Sequence, residues 1–162
     1  MSSTYEKIAT TTLGSSSTSI TFSSIPATYT DLVLVSSRKL DQNGGYFAAV
    51  RFNSDTGSNY SNIQVYGSGS SAASSRNLNE TFGRIGFPSA EWGVTVTNIQ
   101  NYSNTTTYKT SISRDNSPNE FVYGVAMLWR STAAINAINI ICQSGSNFQT
   151  GSMFTLYGIK AE

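Results

Sequence analysis

Ser19–Ser37, SITFSSIPATYTDLVLVSS, is the stretch on which the fold turns. Ile20 and Phe22 alternate with Ser19, Thr21 and Ser23, the period-two pattern of a strand with one buried face. Pro26 interrupts it, because proline has no N–H to give a ladder and fixes its own φ. After Asp31 the run Leu32-Val33-Leu34-Val35 is apolar on both sides, which suits an interior strand covered on both faces. A half-buried strand, a proline corner and a fully buried strand open an all-β sandwich.

Working outward, short strands recur between Gly, Asn and Ser turns. Tyr5–Leu13 reads as a first, edge strand. Tyr46–Asn53 and Tyr60–Tyr66 follow, the latter with Ile63 and Val65 in the buried phase. In Trp92–Tyr102 the apolar phase slips between Val96 and Ile99, which predicts a β-bulge. Next, Tyr108 and Ile112 are expected inward, with Lys109, Ser111 and Ser113 in solvent. Phe121–Trp129 is apolar on both faces and reads as a second interior strand. Arg130–Ala137 is a connector with room for a short helical turn, and Ile138–Cys142 and Met153–Lys160 close the set. The expected architecture is an all-β, jelly-roll-like antiparallel β-sandwich of about ten strands with little or no helix.

The 162 residues are expected to form one domain, 1–162, with a short N-terminal arm at 1–4. Residues 67–91 begin with a Gly/Ser-rich run and read as a long connection, which a short strand near Thr81–Phe87 interrupts. A chain this long buries about 68–70% of its unfolded surface, enough to be stable without a disulfide or metal.

Charged residues make up 12% of the chain, about half the usual share of roughly 25%, and the net charge is +1. That argues against capture of nucleic acid or anionic membrane, which needs clustered Lys and Arg. It suits packing against other protein, where few charges need desolvation. There is no histidine and a single cysteine, so neither a Ser-His-Asp nor a Cys-His centre nor a zinc site of Cys and His can be built. Cys142, in an apolar run, reads as a buried structural thiol. No signal peptide and no membrane span is read, and expression in a reducing cytoplasm is expected.

Candidate sites are few. Asp41-Gln42-Asn43-Gly44 has oxygen ligands before a glycine but lacks later acidic ligands, and reads as a turn. The acceptor patterns at Asn59, Asn79, Asn101 and Asn104 read as chance in a chain rich in Asn, Ser and Thr. Asp31, Asp41, Asp55, Glu80, Glu91, Asp115 and Glu120 are dispersed, without the paired signature of a glycosidase. Neither a catalytic residue, a cofactor nor a metal is assigned. Arg76, Phe82, Arg84, Phe87 and Trp92 mix arginine with aromatics, the residue types enriched at interface hot spots, and form the candidate interaction surface. The competing reading is an aromatic lid over one end of the sandwich.

Ile25-Pro26, Tyr29, Asp31-Leu32, Asn101-Tyr102, Lys109-Thr110, Ile138-Asn139-Ile140, Asn147-Phe148 and Gly151–Ile159 together resemble the small β-sandwich virion proteins of tailed bacteriophages. The resemblance spans roughly Tyr5 to Ile159. It implies a jelly-roll-like sandwich that assembles into symmetric oligomers and is not an enzyme; to cover the unpaired sheet edges a trimer is the first expectation. It implies Pro26 as a corner, Tyr29 as a packed corner aromatic and Gly158 as a point of close approach. The expected partners are further copies of the chain and the major capsid protein or another virion protein, with the virion as the location. A capsid decoration, or cement, protein is the leading reading. A tail-fibre or carbohydrate-binding module, with tyrosines and Trp92 stacked on sugars, is the alternative.

Overall fold

The structure is a computed structural model and describes residues 4–42, 47–117 and 121–160. Its strands are β1 (Tyr5–Thr12), β2 (Ser19–Phe22), β3 (Asp31–Arg38), β4 (Ala48–Phe52), β5 (Tyr60–Gly67) and β6 (Ala72–Glu80). They continue with β7 (Gly83–Gly86), β8 (Gly93–Gln100), β9 (Lys109–Ser117), β10 (Phe121–Trp129), β11 (Ile138–Cys142) and β12 (Met153–Ile159). Among the described residues the only helical turn is Gln143–Gly145; the connector at 130–137 has none.

Two antiparallel sheets form. One runs β1-β12-β3-β8-β9-β10-β5-β6 and the other β2-β11-β4-β7. Without β5, β6, β9 and β10, the remaining strands pair in nested fashion: β1 with β12, β2 with β11, β3 with β8, and β4 with β7. That nesting, folded over so that the pairs alternate between sheets, is jelly-roll connectivity. The hairpins β5–β6 and β9–β10 are inserts that widen the larger sheet beyond β8.

Local chemistry accounts for these elements. In β2 the alternation holds, with Ile20 and Phe22 buried and Thr21 exposed. Leu32, Leu34, Phe154 and Leu156 of the large sheet meet Val50, Phe52, Ile138 and Ile140 of the small one in a single core. At the corner after Pro26, the Tyr102 hydroxyl donates to the Pro26 carbonyl and accepts from the Tyr29 N–H at 3.4 Å. The Tyr29 ring lies against Gly158, where an added Cβ would come within 2.3 Å of it. Both residues thus take the packing roles that the resemblance implies.

The Gly/Ser-rich stretch is no long connection. Residues 68–71 are the turn of a hairpin, closed by a 2.9 Å bond from Ser68 N–H to the Ser71 carbonyl, and β6 follows. Backbone pairing with β5 holds this serine-rich strand, and Ser75 Oγ accepts from the Gln64 amide at 2.7 Å beside it. With β7 in the interval expected for a short strand, the strands among the described residues number twelve. The bulge expected in Trp92–Tyr102 is absent, since β8 stays in register with both β3 and β9.

Candidate interaction surface

The small sheet has four strands and the large one eight, so part of the large sheet lacks the usual partner layer. Beneath β8, β9, β10 and β5 the cover is β7 and the chain that follows it. This inner space holds a set of polar groups joined by hydrogen bonds, within which Arg38 Nε, Gln64 Oε1 and Ser111 Oγ have no partner among the described residues. Arg38 Nη2 bonds Asp115 Oδ1 at 2.9 Å, with both side chains essentially inaccessible. Thr95 Oγ1 accepts from Arg38 and donates to Asp115, while Phe87 N–H donates to Asp115 Oδ2 at 2.7 Å. Thr97 and Ser113 share a hydroxyl–hydroxyl bond of 2.9 Å. Asn62 donates to the Phe82 carbonyl and accepts from Arg84 N–H at 2.7 Å. Lys109 Nζ donates to the carbonyls of Thr107 and Thr132, and burial holds its ammonium below the usual lysine range.

Strand alternation then sends the apolar partners of these residues outward. Ile63 and Val65 of β5, Leu78 of β6, Ile112 of β9 and Val122 of β10 are each more than half exposed. This reverses two expectations. Ile63 and Val65 face solvent while Asn62 and Gln64 are buried; Tyr108 and Ile112 face solvent while Lys109, Ser111 and Ser113 are buried. A strand's period marks two faces without saying which is covered, and a slip of one residue exchanges them. Here the hydrogen-bonded set around Arg38 and Asp115 takes the inside. The apparent phase slip in β8 has the same origin, since Val94 and Val96 lie outward and Thr95 and Thr97 inward. β10 is interior in strand order, but its outer face is open, with Val122 exposed.

On the outer face the rows of side chains are continuous. One row runs Tyr157, Val33, Asn98, Ile112, Ala126, Ile63, Arg76. The next runs Val35, Val96, Arg114, Gly124, Val65, Ser74. Between the ridges of β5 and β9, the small residues of β10 leave a groove of about 400 Å³ that includes Ile63, Leu78, Ile112 and Ala126.

The five residues expected to form an interaction surface are placed differently. Phe87 is buried, with its ring stacked at 5.4 Å on Tyr123 and edge-on to Phe47 at 5.2 Å, so it belongs to a small aromatic core and not to a surface. Phe82 and Arg84 do come together. The Arg84 guanidinium lies 3.9 Å from the Phe47 ring centre and 6.0 Å from that of Phe82. Burial lowers its pKa, opposed by Glu80 at 3.7 Å. Arg76 is exposed on the edge strand β6 opposite Ile63. Trp92 is about half exposed, with its indole edge near Gly151.

Sequence reasoning missed the outer-face set of Ile63, Val65, Leu78, Ile112 and Val122. The one visible signal was Gly124 and Ala126, two small residues at alternate positions of an otherwise bulky apolar strand.

The other candidates have structural roles. Asp41 accepts from Asn147 N–H at 3.0 Å and Nδ2 at 2.8 Å, joining two loops; Asn43 and Gly44 lie outside the described residues, as does Glu120. Asp31 accepts from Asn101 N–H at 2.6 Å, and Asp55 from Trp129 Nε1 at 2.7 Å. Asn104 Oδ1 accepts from the N–H groups of Thr106 and Thr107 and shapes that turn. Cys142 is buried, and burial pushes its thiol up to about 11. Among the described residues no three His, Cys, Asp or Glu side chains sit close enough to hold a metal ion. No protein-family model matches the chain, and no curated protein matches it.

Proposed function

We propose that this chain is a non-enzymatic structural protein of a tailed-phage virion, a capsid decoration protein that cements the shell through a symmetric oligomer. The observation that carries the reading is the open outer face of the large sheet, where side chains of core type are held toward solvent. Monomeric proteins seldom leave a contiguous apolar face of this kind uncovered, and such faces mark contact sites. The jelly-roll frame and the resemblance to phage virion proteins support the same reading. In this role, further copies of the chain and the capsid protein cover the face and the sheet edges. Modest single contacts add up, because many copies bind one shell.

Quantitative mass analysis of purified virions tests it. The expected result is a copy number that scales with the major capsid protein. Absence from the particle, or a few copies confined to the tail, overturns the cement reading. The second reading, a fibre or receptor module that binds glycans, draws on the exposed Trp92. A glycan screen showing saturable binding that is lost in Trp92→Ala would favour it.

A further inference from the structure

The relief of the outer face points to what covers it. Along β10 the outward residues are Val122, Gly124, Ala126 and Leu128. Gly124 and Ala126 form a low floor. On the β5 side Val65 stands opposite Gly124 and Ile63 opposite Ala126. On the β9 side Ile112 stands opposite Ala126. A Cβ on Gly124 would already touch Val65 Cγ2 at 3.4 Å, so the floor lies at backbone level directly beside its wall. A ridge of two bulky residues therefore lies one strand away, about 4.8 Å, from a trough of two small ones, at the same heights along the strands.

We propose that a second copy of this chain covers this face, with the two sheets stacked across a two-fold axis that runs parallel to the strands between β5 and β10. Rotation about that axis carries β5 of one copy over β10 of the other and leaves the position along the strands unchanged. Ile63 then seats on the partner copy's Ala126, and Val65 on its Gly124, and the reverse contacts follow by symmetry.

The exposed area agrees with this arrangement. Ile63, Val65, Leu78, Ile112 and Val122 together expose roughly 500 Å², the larger part of the about 800 Å² per partner in a standard specific interface. The charged side chains flanking the axis are Arg114, opposite Gly124 on β9, and Arg76, opposite Ile63 on β6. The axis separates like copies of either arginine by three strand spacings, about 14 Å sideways, but sets Arg114 across from the partner copy's Arg76, two residues further along the strand. That like-charge pair opposes association, and added salt is expected to relieve it.

This inference rests on the assembly reading only in taking the chain to work as a symmetric oligomer. Its test needs no virion. Sedimentation equilibrium of the purified full chain is expected to give a dimer. Ala126→Glu puts a carboxylate on the trough floor, and the dissociation constant is expected to rise about a hundredfold or more. Val65→Lys, at the ridge, is expected to act likewise, and serves if Ala126→Glu does not fold. Far-UV circular dichroism and the unfolding midpoint confirm that each variant is native. Thr21→Glu, on the exposed side of the small sheet, is expected to leave the dimer intact. A monomeric or trimeric wild type, or a dimer indifferent to both outer-face variants, overturns the proposal. A dimer that is absent from virions would instead leave this two-fold standing and remove the virion reading.

Discussion

Replacing Asp115 by Asn tests whether the inward polar set determines which faces of β8 and β9 are buried. The change keeps the shape, and leaves an acceptor for Phe87 N–H, but removes the charge facing Arg38. The Arg38 guanidinium, 1% exposed, would then be a buried cation whose remaining partners are the hydroxyls of Ser36 and Thr95. Breaking a buried pair on one side costs about 3–5 kcal/mol. For a domain whose whole stability is about 5–15 kcal/mol, that is a large share. At about 2–4 °C per kcal/mol for a chain of this length, Tm should fall by roughly 6–20 °C. Removing the cation as well, in Arg38→Met with Asp115→Asn, should restore most of the loss, because the penalty lies in the unpaired charge. Urea unfolding of wild type, both single variants and the double variant measures the coupling. A single-variant cost below about 1 kcal/mol, or a double variant no more stable than the worse single one, would refute the argument.

Three further outcomes are expected. Gly158→Ala drives a methyl into the Tyr29 ring and should cost about 1–3 kcal/mol by thermal unfolding, whereas Gly67→Ala, with no atom nearer than 3.8 Å, should stay within about 0.5 kcal/mol. At Asp55, burial raises the carboxyl pKa, but the bonds from Trp129, Asn59 and Gly57 outweigh it and hold the value below the usual aspartate range. A depressed folded value contributes stability that is present above the unfolded value, near pH 4, and is lost as pH falls through the folded one, so Asp55→Asn should show a shallower stability loss between about pH 5 and pH 2. The Cys142 thiol, pushed up to about 11 by burial, should resist an aromatic disulfide reagent at pH 8 in native buffer and react in step with urea unfolding; rapid native labelling would contradict its burial.

Much of the frame was legible in the residues. Ile138–Cys142 announced β11 because five residues of strand type stood between turn signals. Asp31 and the apolar run after it announced β3. The corner at Pro26 was legible because proline leaves few alternatives. What stayed hidden depended on which layer lies over which strand. Asn62, Gln64, Lys109 and Ser113 look like solvent residues until Asp115, Arg38 and the backbone near β7 are placed beneath the sheet. Their outward neighbours Ile63 and Ile112 look like core for the same reason. β6 was hidden because its pairing comes from the backbone of β5, and AASSRNLNE carries no strand pattern of its own. Phe87 and Trp92 are both aromatic, yet a partner ring at 5.4 Å buries the first and an open flank exposes the second.

The nesting of strand pairs bears on how the chain acquires its structure. Among the described strands β1 pairs with β12 alone, about 150 positions away along the polypeptide. The hairpins β8–β9, β9–β10 and β5–β6 join neighbours and need only short loops. On a ribosome the middle of the molecule can therefore assemble while β1 waits, unpaired, for β12 to emerge. The arrival of β12, more than any local step, then sets when the sandwich closes.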